Sequence, residues 1–118
     1  LAKRIVSKEG NKSYGRISVI CQIYCDVQVE FTVSRNVFQP KPDVDSTVLS
    51  FYPKDMDLPN PNLFSTFIKQ SFSQRRKKLK NNLPQAYKAG VLDKWAHMRP
   101  EEISPSEFVQ IFNTIYLG

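Results

Sequence analysis

A short segment with two prolines, Asp55 to Pro61, separates two stretches of this chain that differ in the spacing of their apolar residues. Proline has no main-chain N–H and interrupts helices and inner strands, so regular structure is expected to stop there. Before the segment, apolar residues alternate with polar ones as in a strand; after it, they recur at helical spacing. The sequence therefore predicts an α/β portion over residues 1–53 and a small helical bundle over residues 54–118.

In the α/β portion, residues 27–33 alternate strictly between apolar and polar side chains, which is typical of a half-buried strand. Residues 47–52 predict a second strand that Pro53 stops, and the stiff loop between the two favours an antiparallel pair. Upstream, residues 1–7 have the pattern of a helix end. For residues 17–24 the β-branched content favours a strand and the spacing favours a helix. We predict a helix, with Ser18 as a possible cap.

In the helical portion, we predict one long helix from Leu63 through a basic run to Pro84, because proline ends a helix. A short helix is expected near residues 91–97, around the only tryptophan. The final helix should begin at Ser104-Pro105-Ser106-Glu107, which combines a capping serine, a proline at the first helical position and a glutamate three residues after the cap. Its predicted core face consists of Phe108, Ile111 or Phe112, and Ile115.

The chain carries a formal net charge of +6, from 17 Lys and Arg against 11 Asp and Glu. This balance favours an acidic partner: nucleic acid, an anionic membrane surface or an acidic protein. No apolar run approaches the roughly 20 residues of a membrane span. Positive charge is densest in Ser73-Gln-Arg-Arg-Lys-Lys-Leu-Lys80, which either binds phosphates or is a solvated helix end. We predict phosphate binding by Arg75, Arg76, Lys77, Lys78 and Lys80.

Lys12 and Arg16 add positive charge in a polar turn of the α/β portion, and we predict that they contact RNA as well. Tyr14 lies between them. It could help to grip a nucleic-acid backbone or could merely pack the turn, and the sequence leaves both open.

Few residues of the sequence fit other kinds of chemistry. Cys21 and Cys25 would share one face of a helix, but the only histidine is His97, and a zinc site needs more ligands. Buried free thiols are the preferred interpretation, and we expect no metal. With only four glycines, the chain has no glycine-rich phosphate loop.

The loop Val37-Phe-Gln-Pro-Lys-Pro-Asp-Val-Asp-Ser-Thr-Val48 combines two prolines with an aromatic ring. Proline restricts the preceding residue to extended conformations and lowers the entropy of the unfolded loop. Phe38 is either a hydrophobic plug under the loop or an exposed ring that stacks on a base extracted from RNA. Such stacking contributes about 1–3 kcal/mol, enough to offset much of the cost of unstacking a nucleotide.

Three stretches resemble the carboxyl half of the bacterial small-subunit rRNA adenine dimethyltransferases, the kasugamycin-resistance type. The first is Ser13-Tyr-Gly-Arg-Ile-Ser-Val19 with the following Gln22-Ile-Tyr-Cys-Asp-Val27. The second is the loop at Phe38, which is similar to the family's F-x-P-x-P-x-V-D-S. The third is Phe72-Ser-Gln-Arg-Arg-Lys-Lys-Leu-Lys-Asn81 with the closing Arg99-Pro-Glu-Glu-Ile-Ser-Pro-Ser-Glu-Phe108.

The resemblance implies a Rossmann-like methyltransferase domain, of which residues 1–53 would be the last helix and an antiparallel strand pair, and a helical RNA-binding domain over residues 54–118. It implies transfer of methyl groups from S-adenosylmethionine to N6 of two adjacent adenosines near the 3′ end of small-subunit rRNA. By the family's pattern Phe38 would stack on the flipped adenine, and Arg75, Arg76 and Lys77 would engage rRNA phosphates. Asp43 stands where relatives usually carry lysine.

The family's cofactor turn and its Asn-Leu-Pro-Tyr stretch do not occur in these 118 residues. We therefore expect the carboxyl portion of a longer enzyme, inactive alone and without a catalytic or cofactor-binding residue of its own. The whole enzyme is expected to be a cytoplasmic monomer that binds rRNA or the maturing small subunit. Three alternatives remain: a large-subunit rRNA adenine dimethyltransferase of the antibiotic-resistance type, a non-catalytic RNA-binding assembly factor, and a basic protein with no nucleic-acid role.

Overall fold

The computed structural model describes residues 1–37, 39–41, 43–55, 58 and 60–117. Within these residues, helices pack around one hydrophobic core, and a two-stranded antiparallel sheet extends from it. The helices and strands, in chain order, are α1 Ala2–Val6, α2 Arg16–Tyr24, β1 Cys25–Val33, β2 Ser46–Pro53, α3 Pro61–Ser71, α4 Leu79–Asn82, α5 Pro84–Lys88 and α6 Pro105–Tyr116. Short 3₁₀ turns occupy Arg35–Val37, Asp93–His97 and Pro100–Glu102.

The antiparallel strand pair predicted from the sequence is confirmed. β1 and β2 pair from Cys25 opposite Pro53 to Val33 opposite Ser46, with a register shift between Val29 and Phe31. β1 begins directly after α2, two residues earlier than the alternation indicated. Pro53 is the last residue of β2, where a missing ladder N–H is tolerated.

The helix predicted over residues 17–24 is confirmed, but its cap differs. The N-cap is Gly15, and Ser18 lies in the first turn, where its hydroxyl oxygen accepts a 3.1 Å hydrogen bond from the Gly15 N–H. The same hydroxyl donates to the main-chain oxygen of Arg4 in α1. Ser18 therefore joins α1 to α2, a role that local spacing does not reveal.

The single long helix predicted from Leu63 to Pro84 is wrong, because α3 ends at Ser71 and residues 72–78 form turns. The Asn82 side-chain amide donates to the main-chain oxygens of Ser71, at 2.8 Å, and Gln74, at 3.0 Å. It thereby satisfies carbonyls that a continued helix would have paired with later N–H groups. No apolar residue lies between Phe72 and Leu79 in the sequence. A helix over the basic run would therefore have had no buried face to stabilise it.

The final helix is confirmed in detail. Ser104 is the N-cap of α6, its hydroxyl accepts from the Glu107 N–H at 3.2 Å, and the Glu107 carboxylate accepts from the Ser104 N–H at 3.1 Å. Both halves of the capping box are formed. The short helix expected near residues 91–97 is the 3₁₀ turn Asp93–His97.

One hydrophobic core contains residues from both sides of the proline segment. Tyr14, Val19 and Ile23 share it with side chains of α3, α4 and α6. At its centre, the rings of Phe67 and Phe112 lie 5.7 Å apart. Burial of these side chains contributes about 1.5–3 kcal/mol each, so packing across the proline segment is a principal source of stability.

The hairpin of β1 and β2, by contrast, leaves large apolar side chains exposed: Val29 at 52%, Phe31 at 57% and Phe51 at 46%. Beside it, an open groove of about 930 Å³ runs between α1 and the strand β2. Contiguous exposed apolar surface marks a place where another chain segment or molecule packs. No helix in the described residues is long and apolar enough to cross a bilayer.

Candidate nucleic-acid interface

Four cationic side chains line one open groove of about 570 Å³ at the start of α2. Arg4 comes from α1, Lys12 from the turn before α2, Arg16 from the first residue of α2, and Arg75 from the turn after α3. The contact between Ser18 and Arg4 holds α1 against α2. Four positive charges along one groove favour an anionic ligand, such as a nucleic-acid backbone.

Arg75 is the most constrained of these cations. Its Nη2 donates to the main-chain oxygen of Lys12 at 2.6 Å and of Asn11 at 3.3 Å. The same atom lies 3.5 Å from the Glu101 carboxylate, with the side chains 36% and 25% exposed. The sequence-predicted phosphate ligand Arg75 therefore lies in the groove but is already engaged by three oxygens of its own chain.

The next three cations of the basic run, Arg76, Lys77 and Lys78, are exposed in the turn between α3 and α4. None of them forms an ion pair with an acidic residue in the part of the chain that the structure describes. Lys80 lies in α4 with its Nζ 5.6 Å from the centre of the Tyr87 ring, a cation–π contact. The hydrogen bonds from the Asn82 side chain to Ser71 and Gln74 fix this turn, so its cations are held together without a helix.

The structure thus brings together Lys12, Arg16 and Arg75, which the sequence predicted separately, and keeps Arg76 and Lys77 in the adjoining turn. Sequence reasoning missed Arg4. Its side chain enters the groove only because α1 packs on α2, and nothing in the local sequence signals that packing. Tyr14 packs the turn: it is fully buried, and its hydroxyl donates to the main-chain oxygen of Ile103 at 2.6 Å.

Phe38, the predicted base-stacking residue, lies outside the described residues. The described parts of its loop are held by Arg35. The Arg35 N–H donates to the Asp45 carboxylate at 2.8 Å, and its guanidinium donates to the main-chain oxygen of Asp43 at 3.1 Å. The Arg35 guanidinium therefore lies beside the main chain of Asp43.

Both cysteines are free and half-buried. The prediction that they share a helix face is wrong, because Cys21 lies in α2 and Cys25 begins β1. Burial, and to a smaller degree the neighbouring Cys25, raises the pKa of the Cys21 thiol, which keeps it protonated and a poor nucleophile. Among the described residues no group of three or more His, Cys, Asp or Glu is arranged to hold a metal ion.

Comparison with known proteins assigns the chain to a family. The sequence profile described as "Ribosomal RNA adenine dimethylase" matches residues 1–116. The chain belongs to this family. The resemblance recognised in the three sequence stretches is thereby confirmed, and the candidate groove and the basic turn are features of a ribosomal RNA adenine dimethylase chain.

Within the family, the chain is similar to proteins named Ribosomal RNA small subunit methyltransferase A. It is 40% identical over 119 residues to the one from Chlorobaculum tepidum, covering 99% of this chain and 43% of that relative. It is 40% identical over 120 residues to the one from Francisella tularensis subsp. novicida, covering 96% of this chain and 46% of the relative. The chain therefore spans less than half the length of these relatives.

Two solved structures share the fold. A dimethyladenosine transferase from Plasmodium falciparum superimposes with a TM-score of 0.84 at 20% identity, over 93% of this chain and 51% of that one. The 23S rRNA methyltransferase ErmE superimposes with a TM-score of 0.53 at 18% identity, over 86% of this chain and 46% of that one. At these identities the likeness concerns the fold alone.

Proposed function

We propose that this chain is the RNA-binding carboxyl portion of an S-adenosylmethionine-dependent methyltransferase that dimethylates N6 of two adjacent adenosines near the 3′ end of small-subunit rRNA. The observation that carries the proposal is the groove lined by Arg4, Lys12, Arg16 and Arg75, together with the exposed cations that follow Arg75 in the same turn, Arg76, Lys77 and Lys78. We extend it to Lys80 in α4. Several phosphate contacts of this kind supply most of the affinity for RNA.

The exposed hairpin supports a division of labour within the longer protein. A two-stranded sheet is marginally stable alone and is stable when further strands or helices cover it. We propose that residues 1–53 complete a Rossmann-like methyltransferase domain, whose remaining part packs on the hairpin, and that residues 54–118 form the RNA-binding domain. The glycine-rich cofactor turn that the family resemblance implies does not occur in these 118 residues. We assign the cofactor to another part of the protein.

Small-subunit rRNA is favoured as the substrate by the names of the relatives at 40% identity. We propose that the protein acts as a monomer in the cytoplasm, on the maturing small subunit. Methylation of isolated small-subunit particles and of naked large-subunit rRNA by the full-length protein tests the choice. Transfer to large-subunit rRNA alone would assign the protein to the antibiotic-resistance type. Binding without any transfer would identify an assembly factor.

The RNA surface is tested by the double variant Arg76→Ala/Lys77→Ala in the full-length protein. Losing two phosphate contacts should weaken binding of small-subunit rRNA and reduce the slope of log K against log salt by about 1–2. The matched control Lys54→Ala/Lys88→Ala removes the same charge from outside the groove and the turn, and its slope should stay near that of the wild type. Equal slopes for both double variants would contradict the proposed surface.

We also propose that Phe38 stacks on the target adenine. Replacing it by alanine should lower turnover strongly and leave RNA affinity mostly intact, because a single stacking contact of about 1–3 kcal/mol is small beside several phosphate contacts. Steady-state methylation and equilibrium RNA binding, measured on the same preparation, separate the two effects. Normal turnover would leave the ring as a hydrophobic plug.

A further inference from the structure

Arg75 joins its own segment of the chain to two others. Its own segment is the turn after α3, its Nη2 donates to the main-chain oxygens of Asn11 and Lys12, and the Glu101 carboxylate lies 3.5 Å from the same nitrogen. We propose that Arg75 is a positioning residue, which fixes the turn before α2 so that Lys12 and Arg16 face the groove. This inference rests on the proposed RNA-binding function and deepens it.

The geometry distinguishes Arg75 from its neighbours in the basic run. A guanidinium carries five N–H donors in one plane and binds phosphate best with two of them in parallel. In Arg75 the donors of Nη2 are directed to two main-chain oxygens, and Glu101 offsets part of the positive charge. Arg76 and Lys77 are exposed and have no acidic partner among the described residues, so they are better placed to bind phosphate directly.

Two further hydrogen bonds join the same segments and show what Arg75 completes. The Gly10 N–H donates to the main-chain oxygen of Glu101 at 2.7 Å, and the Tyr14 hydroxyl donates to that of Ile103 at 2.6 Å. Within the turn, the Asn11 oxygen also accepts from the Tyr14 N–H at 3.1 Å, whereas the Lys12 oxygen has Arg75 as its only donor among the described residues. Without the guanidinium, the Lys12 carbonyl would bond to water, and the main chain at Lys12 would lose its tie to the turn after α3.

Close packing on the other side of the guanidinium supports the same role. A Cβ added at Gly15, the N-cap of α2, would lie 3.3 Å from Arg75 Nη1. Gly15 has an extended backbone, so alanine is conformationally allowed there. The methyl group would instead press on the guanidinium, which would have to move by a few tenths of an ångström and so loosen its bonds to the carbonyls. Gly15→Ala is therefore a perturbation of Arg75 that changes no charge.

The decisive variant is Arg75→Lys in the full-length protein, which keeps the charge but cannot reach all three oxygens from one plane. We expect it to weaken binding of a small-subunit rRNA fragment about tenfold, nearly as much as Arg75→Ala, a loss comparable to one charge-assisted hydrogen bond. The matched control Lys69→Arg, at an exposed cation of α3 outside the groove and the turn, should bind within about twofold of the wild type. Hydrogen exchange at the Gly10 and Tyr14 amides should accelerate in Arg75→Lys only.

Wild-type affinity for Arg75→Lys, together with weak binding by Arg75→Ala, would overturn the inference, since charge alone would then suffice. If Arg75→Lys does not fold, Gly15→Ala replaces it: reduced affinity supports positioning, and unchanged affinity overturns it. Failure of the proposed function has a different signature. In that case Arg76→Ala/Lys77→Ala would bind RNA with an unchanged salt slope, whatever the Arg75 variants do.

Discussion

The hydroxyl of Tyr14 donates a 2.6 Å hydrogen bond to the main-chain oxygen of Ile103, and both residues are completely inaccessible to solvent. The bond joins residues 89 positions apart, and Tyr14 belongs to the same turn as Lys12. It links the base of the cationic groove to the hydrophobic core.

Tyr14→Phe should therefore destabilise the protein while leaving the packing of the core unchanged. The ring stays, but the Ile103 carbonyl is left buried and unpaired, which costs about 1–3 kcal/mol of unfolding free energy. Urea unfolding at pH 7 measures the change. Tyr87→Phe, at an exposed ring, is the control and should stay within about 0.5 kcal/mol of the wild type.

The same pair predicts a loss of stability in alkali. Burial, and to a smaller degree the charges of Glu9 and Glu107, raises the pKa of Tyr14 far above its ordinary value. The unfolded chain ionises this tyrosine near pH 10, so the folded state loses stability above that pH, with a limiting slope of about 1.4 kcal/mol per pH unit. Urea unfolding between pH 9 and 11 should show a shallower decline in Tyr14→Phe, and equal declines would contradict the assignment.

Glu107 predicts the opposite dependence in acid. The Trp95 N–H bond, at 3.0 Å, and the hydrogen bonds from Ser104 lower the pKa of this carboxylate against the effect of burial. Its contribution to stability is present above the unfolded pKa, about 4.3, and disappears as the pH falls through the lower folded value. Glu107→Gln should lower the melting temperature at pH 7 and have little effect near pH 2.5. The exposed strand variant Glu30→Gln should have little effect at either pH.

We expect the side chain of Asn82 to maintain the conformation of the basic turn. Asn82→Ala removes the donors to Ser71 and Gln74; the Gln74 oxygen keeps the Lys77 N–H at 3.0 Å, but the buried Ser71 carbonyl loses its donor, which should cost about 1–3 kcal/mol. RNA affinity should fall as well, because the turn that carries Arg76 and Lys77 loses its support. The exposed neighbour Asn81→Ala is the control. A variant at Asn82 with normal stability and normal RNA binding would show that the turn holds its own conformation.

The exposed hairpin predicts self-association of the 118-residue chain in isolation. Val29 and Phe51 lie on one face of the strand pair, since each is opposite another apolar residue of that face. The double variant Val29→Lys/Phe51→Lys should associate less than the wild type as the protein concentration rises, as measured by analytical sedimentation. The control Leu117→Lys, at an exposed residue outside the hairpin, should associate like the wild type. If the double variant associates like the wild type, the apolar face is not responsible.

The sequence predicted those elements whose signals are local. Strict alternation located β1, and the run that Pro53 stops located β2. The residues around Ser104 located the start of α6, because a capping box is complete within four positions. The basic run was predicted as part of a helix because the helical spacing that starts at Leu63 leads into it and the next proline is Pro84. Its real conformation depends on Asn82 and on the Leu79 N–H, which donates to the Met98 main-chain oxygen at 2.7 Å.

The candidate groove was beyond local signals for a different reason. Arg4, Lys12 and Arg75 are distant in sequence and meet only through the packing of α1 on α2 and the ties to Glu101. Composition favoured an anionic partner, and the run at Arg75 predicted part of the proposed surface. Only the structure shows that the Nη2 donors of Arg75 bind main-chain oxygens of the same chain.

The core shared across the proline segment has an evolutionary consequence. Val19 and Ile23 of α2 pack in the same interior as Phe108 and Ile111 of α6, so a change of volume on one side must be matched on the other. Among related sequences these positions should co-vary, and recombination at the proline segment should produce chimaeras that fold only when both parents carry compatible side chains at these four sites.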